Sequence, residues 1–281
     1  MSLIMRDASF ENIIMDGSAT GDPSYAPGVA ALLATLRKTW TGWAVLRAAY
    51  DRRKNKRKEN QEIRIVPMTA KDKKEFPTAE AFARPKDWAG ATARYAKGYQ
   101  CDGVNNPETP RDDRYDLMGV TGTGVGSSAF VHFNPRDGKR PDCNLIHELV
   151  HAVRDMSGVL DCVPVENYLR LYDTEEEFYS DIVKNIYLSE RGEDDQIRFG
   201  HAGNKTMEAF LAWDPLLPEN PPTPAGLLNH PALGKPVRRL LFKMTADTSD
   251  MCDNIAYKPR VTTKWNLLRE YLDNPAKYPM F

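Results

Sequence analysis

The sequence predicts an α+β fold: a small mixed sheet, one central helix that carries the chemistry, and a mostly helical C-terminal lobe. Three observations support that class. Runs at residues 9–16, 62–68 and 128–133 mix β-branched and aromatic residues with polar ones in the manner of half-buried strands. Longer runs at 28–54, 141–158 and 174–187 repeat apolar residues every third or fourth position, the period of a helix packed on a core. Beyond residue 134 the apolar segments all read as helices.

Composition bounds the function. A chain of 281 residues suits one globular domain with two lobes and can bury a full core. The apolar share of 41% and charged share of 27% are ordinary for a soluble protein, and a net charge of −1 argues against general binding to nucleic acid or a membrane surface. The four cysteines, Cys101, Cys143, Cys162 and Cys252, form no C-x-x-C pair and are too few for a disulfide framework. Cys143, one turn before a histidine pair, reads as a small buried residue. The N-terminus, Met-Ser-Leu-Ile-Met-Arg-Asp, meets charge before an apolar run can build, so it is not a Sec-type signal. No uncharged apolar stretch of 18 residues occurs, so no membrane span is expected. The expected history is synthesis in the cytoplasm.

Taken in order, the first strand, Ser9 to Asp16, ends at Gly17, and residues 17–27 form a loop. One helix is expected from Gly28 to Lys54, with Val29, Leu32, Leu33, Leu36, Trp40, Trp43, Leu46 and Tyr50 on its apolar positions. The basic run Arg52 to Lys58 reads as a solvated helix end favoured by the helix dipole, ahead of a nucleic-acid patch. Glu62 to Met68 is a strand, and residues 69–115, rich in charge, Pro and Gly, are expected to be loops with one or two short helices. Val120 to Gly126 has the glycines of a phosphate loop but no following Lys-Ser/Thr. It reads as a flexible turn into an edge strand, Ser128 to Phe133, whose open edge is placed to hold an extended peptide. His132 reads as a half-exposed strand residue. Toward the C-terminus, Asn220 to Gly226 resembles a stiff polyproline linker, Leu227 to Leu241 and Trp265 to Leu272 read as helices, and His230 before Pro231 reads as structural.

The chemistry is concentrated at His147-Glu148-Leu149-Val150-His151. On a helix, histidines four residues apart stand one above the other, so both imidazoles reach one metal ion. Glu148 is turned away by roughly 100° and can hold the water that the metal activates. A zinc hydrolase needs this arrangement. Ile146, Leu149, Val150 and Val153 form an apolar stripe beside the histidines, Pro141 suits the first turn, and Gly158 closes the helix.

A catalytic zinc site needs a third protein ligand. The best source is the helical stretch Thr174 to Val183, where Phe178, Ile182 and Ile186 with Tyr179, Val183 and Tyr187 bury most of the circumference. Glu177 is the leading ligand candidate and Asp181, four residues on, could orient a histidine. Glu175 and Glu176 remain alternatives, because Thr174 with Glu177 also fits a capping box, as does Asp173 with Glu176.

HELVHAVRDMSG from His147, followed by EFYSDIV from Glu177, resembles the zincin metallopeptidases of the glutamate-ligand HExxH branch. With Phe133-Asn134-Pro135 before the motif and Asn185-Ile186-Tyr187 after it, the stretch is similar to NleD-type secreted effector metallopeptidases and to toxin domains on type VI secretion spikes. The resemblance implies a zincin-like fold with zinc on His147, His151 and Glu177 and Glu148 as general base. It implies a catalytic core over 1–194 and a lower lobe over 195–281. It also implies an endopeptidase that acts on protein or peptide substrates of another cell, exported by a specialised secretion system, with secretion machinery and an immunity protein as partners. Tyr168, Tyr172 and His201 are candidate donors to the oxyanion by their position around the second helix. Two other classes remain: an inactive HExxH protein that binds a partner through the same cleft, against which the intact motif argues, and a deformylase-like amide hydrolase, for which Cys101 is a poorly placed ligand.

Overall fold

The computed structural model describes residues 3–54, 59–75, 79–87, 92–94, 120–163, 172, 174–197, 223–258 and 263–279. The chain is α+β, with a five-stranded mixed sheet and a helical C-terminal part, consistent with a zincin-like fold. It divides into two compact units: residues 1–38 with 45–164, and residues 39–44 with 165–281.

The first unit holds the sheet. Strands β1 (Ile4–Arg6), β2 (Ile13–Asp16), β3 (Ile63–Val66), β4 (Ala81–Pro85) and β7 (Ala129–Phe133) lie in the order β1-β2-β3-β7-β4. β2, β3 and β7 run parallel, while β1 and β4 are antiparallel to their neighbours. Ile63 and Ile65 stand opposite Ala129 and Val131 in register, and all four are 0–1% exposed, so this face carries the core. A separate pair, β5 (Thr92–Arg94) and β6 (Val120–Gly122), is antiparallel. Of residues 69–115, expected as loops and short helices, the described part contains helix α3 (Ala70–Glu75) but also β4 and β5.

That placement corrects one expectation. β7 is an interior strand, because β4 pairs along its full length from Ala81 opposite Phe133 to Pro85 opposite Ala129. Among the described residues the open edge on this side belongs to β4. Its Pro85 suits such a place, since an edge strand needs no amide donor on its outer side. Ala81 and Ala83 pair with Phe133 and Val131 and share the core face, where small side chains admit a close helix.

The single helix expected over 28–54 is two: α1 (Tyr25–Leu36) and α2 (Trp40–Asp51). The apolar period runs through the join, but Thr39 Oγ1 accepts from the Gly42 amide at 3.0 Å and so starts a new helix. Tyr25 Oη donates to the Phe133 carbonyl at 2.9 Å, tying α1 to the end of β7. At the end of α2, Arg53 lies over the Tyr50 ring at 4.1 Å and Arg52 donates to Ser157. These two cations serve the fold, in line with the helix-end reading; Lys56 to Lys58 lie outside the described residues.

The long helix of this unit is α4 (Pro141–Ser157), with the predicted bounds. Pro141 opens it, and Gly158 closes it in the left-handed conformation at φ 71°. The stretch from Val120 to Gly126, expected as a flexible turn, is a strap across its C-terminal end. The amides of Gly122, Gly124 and Ser127 donate to the carbonyls of Leu160, Gly158 and Asp155 at 2.7, 2.8 and 3.2 Å. Asp155 is in the last turn of α4, whose carbonyls have no partner within the helix. Glycine is required for this contact: a Cβ on Gly126 would fall on the Met156 carbonyl, and one on Gly122 on the Gly158 carbonyl.

The second unit is helical in its described part. It contains α5 (Glu175–Glu190), a 3-10 turn (Asp194–Gln196), α6 (Pro224–Asn229), α7 (Gly234–Asp247), α8 (Ser249–Tyr257) and α9 (Leu267–Asp273). The end of the expected proline linker is the start of α6: Thr223 Oγ1 caps the Gly226 amide at 3.1 Å and Pro224 takes the first helical position. His230 is structural, as expected. Its Nδ1 accepts from the amides of Ala232 and Leu233 at 3.3 and 3.0 Å, which ends the predicted 227–241 helix and begins another.

Candidate metal centre

The histidines sit within α4, which is buried without a break from Leu145 to Met156. The expected apolar stripe is there, with Ile146, Leu149, Val150 and Val153 all 0% exposed. The polar residues beside it are buried too: His147 and Glu148 at 6% and 7%, His151 at 7%, Arg154 at 0% and Asp155 at 3%. Placing so much polar surface inside is costly unless each group meets a partner or an ion. Arg154 donates from Nη2 to the Val159 carbonyl at 2.8 Å, beyond the end of its own helix.

His147 and His151 turn the same nitrogen toward one point. Their Nε2 atoms are 3.1 Å apart, and the rings stand at 77° with centroids 4.8 Å apart. Two nitrogens of a tetrahedral metal with bonds near 2.05 Å are roughly 3.3 Å apart, so the pair fits a shared cation. The helix alone sets this spacing, since residues i and i+4 stack on one side.

The carboxylate candidates lie on the first turn of α5, where Thr174 Oγ1 accepts from the Glu177 amide at 3.4 Å. Their surroundings separate them. Glu175 is 4% exposed, and its carboxylate accepts from Arg239 Nη2 at 2.9 Å and from Lys243 Nζ at 2.8 Å. Glu176 is 2% exposed, whereas Glu177 is half-buried. Among the described residues, one ligand atom from each of His147, His151 and Glu177 lies within 4.8 Å of the other two. A donor set of two imidazoles and one carboxylate suits a divalent metal of the zinc kind. Asp181, expected to orient a histidine, is fully buried and accepts from Lys184 Nζ on its own helix. The apolar face expected of this helix is present, with Phe178, Tyr179, Ile182, Val183, Ile186 and Tyr187 all 0% exposed.

The remaining candidates fall out as follows. Tyr172 is described: it is 2% exposed and packs edge-on against Phe178, with centroids 5.4 Å apart at 77°. Tyr168, His201 and Cys101 lie outside the described residues. His132 is not half-exposed as expected, but 7% exposed. β4 covers it, with the Phe82 ring stacked on its imidazole at 4.3 Å, and its Nδ1 lies 3.4 Å from Asp72 Oδ2. Burial and the nearby Arg84 hold the His132 pKa below its usual value, against the pull of Asp72. Cys143 is buried, as expected.

Two contributions escaped the sequence reading. One is the glycine strap, whose sequence signal is the alternate glycines at 122, 124 and 126, of which Gly126 takes a positive φ of 82°. The other is the pairing of Glu175 with α7, whose only signal was a basic pair four residues apart on a distant helix.

A fold of this class with a His/His/Glu group is compatible with a metallopeptidase. The family model Peptidase_M91, described as effector protein, matches residues 16–179, and the chain belongs to that family. The protein is thus an effector metallopeptidase, and its substrate class is protein. The match covers both the histidine helix and the first turn of α5. No curated protein gives a match. No described helix is long and apolar enough to cross a membrane.

Proposed function

We propose that the protein is a zinc-dependent endopeptidase, exported by a specialised secretion system, that hydrolyses peptide bonds in proteins of a target cell. The observation that carries this reading is the convergence of His147, His151 and Glu177, whose ligand atoms lie within 4.8 Å of one another in a chain of a peptidase family. These three side chains would hold the zinc. When bound, zinc supplies a Lewis acid that polarises the scissile carbonyl and lowers the pKa of water to about 7.

The chain's own residues do the rest. Glu148, adjacent in sequence to the first ligand and 7% exposed, takes a proton from the attacking water. As the C–N bond breaks, Glu148 returns that proton to the leaving amine. Tyr172 is a proposed donor to the oxyanion, as are Tyr168 and His201. Among the described residues β4 is the edge strand on this side of the sheet, and an extended substrate can add to it as a further strand. Secretion machinery and an immunity protein are the partners proposed with this role.

The test compares wild type with Glu148→Gln on a peptide library derived from a whole proteome, with zinc content measured in both. The expected result is a loss of at least about 100-fold in cleavage with zinc retained. Equal cleavage by the two proteins would reject Glu148 as the base.

A further inference from the structure

Glu177 projects from the first turn of a helix. That is the part of any helix with the fewest internal hydrogen bonds, where the backbone frays unless side chains hold it. The Thr174 cap on the Glu177 amide is long at 3.4 Å and is a weak hold by itself. A stronger hold lies two residues before Glu177. Glu175 is the first residue of α5, is buried to 4% exposure, and accepts two charged hydrogen bonds from α7, Arg239 Nη2 on one oxygen and Lys243 Nζ on the other. Tyr179 Oη, one turn along α5, reaches the second oxygen at 3.4 Å. Arg239 and Lys243 are four residues apart, so both project from one side of α7 onto the same carboxylate.

We infer that Glu175, through Arg239 and Lys243, is a positioning residue for the metal site: the two-cation clamp fixes the rotation and register of the first turn of α5 and so aims the Glu177 carboxylate. The inference rests on the proposed role of Glu177 as a ligand. The carboxylate accepts one charged bond on each oxygen, so two directional contacts hold the turn where a single ion pair would supply one. Outer partners of metal ligands commonly tune affinity by about 10- to 100-fold, and the clamp acts one step further back, through the backbone turn.

The experiment measures zinc affinity by competition with a chelator, well below the melting temperature, in wild type, Arg239→Ala/Lys243→Ala, Arg239→Lys/Lys243→Arg and Glu175→Gln. Thermal melts are run on the same samples. The expected result is a zinc Kd raised about tenfold or more in the double-alanine variant and in Glu175→Gln, with the charge-conserving exchange close to wild type. Glu175→Gln keeps the shape of the side chain, so it provides the reading should the double variant fail to fold. A lower melting temperature with an unchanged zinc Kd would assign the clamp to stability alone and overturn the inference. Wild-type protein that binds no zinc would instead overturn the reading of the site itself, and the inference with it.

Discussion

The two helices that supply the candidate ligands are held in different ways. In α4 the histidines lie mid-helix, where the backbone ladder fixes their spacing, and the helix is buried from Leu145 to Met156. Its C-terminal end is bound by the glycine strap, backbone to backbone. In α5 the carboxylate sits at the end of the helix, and side chains do the holding: Thr174 at the cap, and Glu175 between Arg239 and Lys243. A ligand pair set by helix geometry tolerates change elsewhere, whereas a ligand on a first turn depends on residues far away in the chain.

The largest effect on stability should come from the backbone side of this contrast. Gly126→Ala adds a Cβ where the Met156 carbonyl lies, at φ 82°. Strain and clash together should cost on the order of 3 kcal/mol, read as a lower urea midpoint at unchanged m-value. Loss below about 0.5 kcal/mol would mean that the strap moves aside and does not brace α4. The clamp variants sharpen the comparison from the other side, since they should shift zinc affinity more than stability.

A smaller effect concerns the sheet. His132 alternates with Val131 and Phe133, so its side chain leaves the other face of β7. Its pKa is lowered in the folded protein, by burial first and then by Arg84, from the ordinary 6.5. The unfolded chain therefore binds a proton at a higher pH than the folded one. The stabilisation from keeping the imidazole neutral is complete above pH 6.5 and is lost as the pH falls from there toward the folded pKa. His132→Gln should flatten that part of the stability profile, measured by urea unfolding from pH 7.5 to 5; an unchanged slope would assign the acid sensitivity to other groups.

How much of this was legible follows the same division. The bounds of α4 were readable, because Pro141 and Gly158 act locally and the apolar stripe fixes the period. So was the histidine pair. The strands β2, β3 and β7 were readable from their β-branched and aromatic runs, although β2 is shorter than expected: Asp7 Oδ1 takes the amides of Ser9 and Phe10 and turns the chain there. β4 is not legible, because Ala81 to Pro85 is short, small and ends in proline and so carries no strand signal of its own. Without it, the sequence presents its partner β7 as an edge. The break between α1 and α2 was missed because Leu36, Trp40 and Trp43 keep a helical period across it. Glu177 could be ranked above its neighbours but not separated from them. What separates Glu175 is a contact with Arg239, 64 residues away, and no local pattern records that.

The central claim is that His147, His151 and Glu177 form one metal site. The direct measurement is metal content by elemental mass spectrometry on purified wild type, His151→Ala and Glu177→Ala, with folding checked by circular dichroism. About one zinc per chain is expected in wild type, with loss of it in both folded variants. Zinc retained at full occupancy and affinity in Glu177→Ala would rule out Glu177 as a ligand and show that the third ligand lies elsewhere.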